Sequence, residues 1–129
     1  MKKYERLRVN ESLHVPSLYD HVGNVVQFGY VESTKTNEAG EIEQVYKGYN
    51  IPLTGYFDYG HIKSQIIEYA YAPKQEFALL INAVSALLKE RAGVTGDPTI
   101  EEDIAAFVEF EEWREIASTV AHELMDMVK

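Results

Sequence analysis

Four histidines carry most of the acid–base chemistry that this sequence offers. His122 and Glu123 open the run AHELMD, which begins like the HExxH signature of zinc proteases, where two histidines one turn apart share a helix face and a metal. Asp126 stands where the second histidine belongs and no third ligand follows, so His122 reads as an ordinary residue of a packing helix. Asp20 with His21, and Asp58 with His61, each supply half of an acid–base pair. A general base also needs an orienting partner and a pocket, and Asp58 reads more simply as a helix N-cap. Ser12, Ser17, Ser64 and Ser85 lie outside any GxSxG elbow, and the eight glycines form neither GxGxxG nor a phosphate loop. No catalytic residue, cofactor or metal ligand is expected. The enzymatic alternative is a small hydrolase or isomerase built on Asp20/His21, or on His61 with a nearby carboxylate.

Aromatic residues give a different hint. Of nine tyrosines and five phenylalanines, Tyr46, Tyr49, Tyr56, Phe57 and Tyr59 fall within fourteen positions. Tyrosine combines a large contact area with a hydroxyl and is enriched at protein interfaces. These five and Trp113 are the candidate binding residues, for a protein partner or a second copy of the chain. Two other readings stand beside this one: packing between sheet and helices with hydroxyls reaching water, and stacking of a flat or sugar-like ligand on the tyrosine-rich face.

Such residues need a scaffold, and 129 residues suit a single domain, strand-rich over 1–55 and helical over 58–129. The absence of cysteine excludes disulfides, a thiolate nucleophile and sulfur-ligated zinc. The net charge of −9 argues against nucleic acid. No stretch approaches the roughly 20 apolar residues of a membrane span, and the basic start MKKYERLR lacks the apolar run of a signal peptide. The cytoplasm, or a particle assembled there, is the expected location. Charge is unevenly spread: residues 99–129 hold nine acids against Arg114 and Lys129, while Lys2, Lys3, Arg6 and Arg8 crowd the N-terminus. Contact between the two is conceivable, but separate solvation is the simpler expectation, because exposed ion pairs contribute little.

The patterning predicts an α+β fold, an antiparallel β-hairpin or small sheet over about 25–53 packed against helices over about 59–71, 74–92 and 99–128. Residues 25–36 and 41–49 are β-branched and aromatic around the turn Asn37–Gly40. Pro52 should end the second strand or place it at a sheet edge, and Leu7–Val9 reads as a short strand. Asp58 should cap the first helix. In the second, Phe77, Leu80, Ile81, Val84, Leu87 and Leu88 recur on one face, which marks it as the central core helix, closed by Gly93. Thr99 with Glu102 forms a capping box for the third. At about 1.5 Å per residue that helix is longer than a compact domain is wide, so a break or kink near 108–110, or a projecting tail, is expected.

The segment YNIPLTGYFDYGHIKSQIIEYAYAPKQEFALLINAVSALL, with FVEFEEWREIA after it, resembles small proteins encoded near tail genes of bacteriophages and prophages. The likeness covers about residues 49–120 and includes the aromatic run Phe107, Phe110, Trp113 and Arg114. It implies a structural or accessory role in assembly, with no catalytic residues to carry over. A non-enzymatic interaction or assembly module, joining a protein partner or other copies of itself, is the function expected.

Overall fold

The computed structural model describes residues 1–128. In chain order these form a 3-10 helix (Lys3–Leu7), strands β1 (Asn10–Ser12), β2 (Tyr19–Asp20), β3 (Val25–Thr36) and β4 (Ile42–Pro52), and helices α1 (Tyr59–Ala70), α2 (Pro73–Arg91) and α3 (Pro98–Met127). The strands make one antiparallel sheet in the order β1-β4-β3-β2, so the fold is α+β with the helices following the sheet. The extreme N-terminus departs from expectation. The strand comes at Asn10–Ser12, and Lys3–Leu7 is a 3-10 turn in which Tyr4 is buried.

β3 and β4 pair without a break from Val25↔Pro52 to Phe28↔Tyr49, then shift so that Val31 faces Lys47. Gly29 and Tyr30 thus oppose Gly48 alone, a bulge with Gly29 at φ +68°. A Cβ on Gly29 would lie 2.7 Å from the Tyr49 ring, and one on Gly48 would lie 2.5 Å from the Tyr30 ring. Glycine is therefore required twice, on facing strands, so that two tyrosine rings can lie flat on the backbone. The bulge also changes which residues of β3 share the Tyr49 side of β4: before it these are Val26 and Phe28, both buried, and beyond it they are Val31 and Ser33, paired with Lys47 and Val45.

The helices begin and end where local chemistry dictates. The Asp58 carboxylate accepts the His61 backbone N–H at 2.8 Å and caps α1. Ala72 is extended (ψ 155°), as a residue before proline must be, and Pro73 opens α2. Its end is a Schellman motif: Gly93 N–H donates to the Glu90 carbonyl and Val94 N–H to the Lys89 carbonyl, with Gly93 at φ +79°. For α3 the cap is Asp97 rather than Thr99. The Asp97 carboxylate accepts Thr99 N–H at 3.0 Å and its hydroxyl at 2.7 Å, while Pro98 takes the first helical position.

α3 runs without interruption for 30 residues, with no break at 108–110. No proline or glycine lies between Thr99 and Met127 to produce one. Its length is accommodated because its two halves have different neighbours. The first half lies along α2, and the second packs under α1 and the sheet, burying Phe110, Trp113, Ala117, Val120, Ala121 and Leu124. Trp113, fully buried, is the hub. Its indole N–H donates to the Ile66 carbonyl at 3.0 Å, and its ring meets Tyr49, Tyr4 and Phe28 at centroid distances of 5.0, 5.4 and 6.0 Å.

Candidate interaction surface

α2 presents two apolar faces, and the core uses only one. Ala83 and Ala86, 4% and 2% exposed, are its only buried residues, with Leu79 half-buried on the same side. These small side chains let α2 approach α3 closely. The larger residues point the other way: Phe77 and Leu88 are 66% and 63% exposed, and Leu80, Ile81, Val84 and Leu87 are each about half exposed. The helix expected to form the centre of the core is therefore peripheral. Its periodicity reported an apolar face correctly but carried no information on what covers that face. The six side chains leave on the order of 600 Å² of mainly apolar surface in water, as large as the largest such patch on an ordinary monomer. A shallow groove of about 600 Å³ lies along it, lined by Leu80, Ile81, Val84, Leu88 and Val94.

The six aromatic residues singled out from the sequence do not share a face. Tyr49 and Trp113 lie in the core, where burial pushes the Tyr49 phenol up to about 12 and its hydroxyl donates to the Tyr4 carbonyl at 2.7 Å. Tyr59 is half-buried, its hydroxyl 2.7 Å from that of Ser118 and its ring stacked on His122 at 4.2 Å. Tyr46 is half-buried on β4 opposite Ser12 and Glu32. Tyr56 and Phe57 are exposed on the loop before α1. The apolar stripe of α3 goes largely into the core, through Phe110, Trp113, Ala117, Val120, Ala121 and Leu124, and leaves Val108 exposed.

The acid–base candidates are likewise dispersed. His61 Nδ1 lies 2.9 Å from Asp58, but both side chains are about half exposed, and Asp58 is occupied as a cap. Its carboxyl is held below the usual range, first by the His61 backbone N–H and then by the His61 ring. Asp20 accepts the Val22 N–H, while His21 sits edge-on to Tyr19. Among the described residues no three histidine or carboxylate groups converge as a metal site would require.

The basic N-terminus does meet the acidic helix, contrary to the expectation of separate solvation. Lys2 pairs with Glu112 at 2.5 Å, Tyr4 donates to the same carboxylate at 3.0 Å, and the Lys3 N–H donates to Glu109. Hydrogen bonds from Lys2 and then Tyr4 hold the Glu112 carboxyl below its ordinary value. Tyr4 supplies what charge alone does not: its ring is buried against Trp113, so the ion pair rides on an apolar anchor.

Comparison with known protein families, characterised proteins and solved structures finds no significant match for this chain. Among the described residues no helix is long and apolar enough to cross a membrane.

The α2 stripe was legible as an apolar face; its exposure was not. The signal that points to it is the second apolar seam at Leu79, Ala83 and Ala86. A helix with an alanine seam opposite a leucine-rich one can give only one of them to a single neighbouring helix.

Proposed function

We propose that this chain is a non-enzymatic interaction or assembly module that works through the outward face of α2. The observation that carries the reading is the continuous exposure of Phe77, Leu80, Ile81, Val84, Leu87 and Leu88 on a well-capped helix. A patch at the top of the size range found on monomers is often a functional contact surface. The likeness of residues 49–120 to phage and prophage tail-region proteins favours a structural or accessory role in building a particle. The binding surface is then the α2 stripe rather than the tyrosine-rich segment, of which Tyr56 and Phe57 are the exposed members.

The test is a photo-crosslinking amino acid placed at position 88, and at Glu68 on the exposed side of α1 as a control, followed by illumination in an extract of the source cell. The expected result is a discrete adduct from position 88 and none from position 68. Equal labelling at both positions, or no adduct at position 88, would refute the reading.

A further inference from the structure

Resting on that reading, we infer that the partner on the α2 stripe is a second copy of the same chain, bound with the two α2 helices antiparallel about a two-fold axis at Val84. Three observations converge on this occupant.

The first is area. On the order of 600 Å² from each copy would put a symmetric pair near 1,200 Å² of buried surface, the lower bound for specific, stable complexes. Exposed Val94, which lines the same groove, adds to that margin.

The second is symmetry. An isologous contact requires a self-complementary face. Reversing α2 about Val84 sets Leu80 against Leu88, Ile81 against Leu87 and Val84 against itself, so every apolar residue of the central two turns meets another. Phe77 then meets Arg91, whose guanidinium can lie over the ring.

The third is charge. α3 is strongly acidic, and the whole chain carries −9, so most of the surface repels a second copy. α2 is not acidic, with Lys74, Lys89 and Arg91 against Glu76 and Glu90. Arg91 closes the C-terminal end of the stripe and Glu76 flanks its N-terminal end. Antiparallel pairing brings each Arg91 to the Glu76 of the other copy, twice per dimer. Parallel pairing would set like against like. Neither residue has an ion-pair partner among the described residues.

The test uses the purified full chain in sedimentation equilibrium, together with single-cysteine variants, which are unambiguous because the sequence has no cysteine. The wild type should associate reversibly to twice its 14.7 kDa mass. Val84→Glu should weaken the dimer by tenfold or more, with circular dichroism unchanged, and Leu88→Gln should weaken it less. Glu76→Arg should weaken it several-fold even though it lowers the net negative charge, and Glu76→Arg with Arg91→Glu should restore it. Val84→Cys, on the two-fold axis, should oxidise to a disulfide-linked dimer far faster than Ser64→Cys on α1. A monomer throughout the micromolar range, or a dimer indifferent to Val84→Glu, would overturn self-pairing. The crosslink from position 88 separates the two levels: an adduct of other than twice the chain mass sinks self-pairing but keeps the interaction module, and no adduct sinks both.

Discussion

Substitutions on the two sides of α2 should have opposite profiles, and the structure sets their sizes. Ala86 is 2% exposed against α3. Ala86→Leu forces extra carbons into a close helix contact, at a cost of about 1–3 kcal/mol. For a domain of this size that corresponds to a fall in Tm of about 4 °C per kcal/mol. Leu88 is 63% exposed, so only about a third of the 1.5–3 kcal/mol for full burial of a leucine is at stake. Glutamine is also a good helix former. Leu88→Gln should therefore cost about 0.5–1 kcal/mol. Were Leu88 in a core, the same change would cost at least about 2 kcal/mol and would bury an amide as well. The assay is urea unfolding followed by the fluorescence of Trp113, the only tryptophan, at protein concentrations low enough that association adds nothing to stability. A Leu88→Gln penalty equal to or above that of Ala86→Leu would refute the assignment of inner and outer faces.

Gly29→Ala should cost well over about 1 kcal/mol, because φ +68° is compounded by the Tyr49 ring, whereas Gly40→Ala, at φ +80° in open space, should cost only the backbone strain of about 1 kcal/mol. Thermal unfolding of the two variants side by side separates steric overlap from conformation. Tyr49→Phe removes the donor to the buried Tyr4 carbonyl and should cost about 1–3 kcal/mol, with the N-terminal segment becoming the first site of proteolysis. Asp58 has a folded-state pKa below its unfolded value, so its contribution is present above pH 4 and lost as pH falls through the folded value. An acid titration of stability should accordingly be shallower in Asp58→Asn, which keeps a capping oxygen, and an unchanged slope would contradict the cap's ionic character.

Much of this architecture is local in origin and was visible in residue types. Asp58, Pro73 and Gly93 mark helix ends by their own stereochemistry, and Pro52 ends β4 because it lacks an N–H. What escaped was non-local. The bulge at Gly29 depends on Tyr49 across the hairpin, and the 3-10 turn at Lys3–Leu7 depends on Tyr4 finding Trp113 more than a hundred residues later. The unbroken α3 followed from having two different neighbours along its length, which no periodicity records. Tyr49 and Trp113 looked like binding residues because large aromatics serve cores and interfaces equally well; only their burial distinguishes the two uses.

The most direct measurement is the alkylation rate of single cysteines along α2 in the native protein, taken across a dilution series. At high dilution Leu88→Cys and Leu87→Cys should react nearly as fast as a free thiol, slowing as concentration rises and the face becomes covered, while Ala86→Cys stays protected throughout. Protection at positions 87 and 88 that persists at every dilution would mean that the chain covers its own stripe, and an interaction surface on α2 would be contradicted.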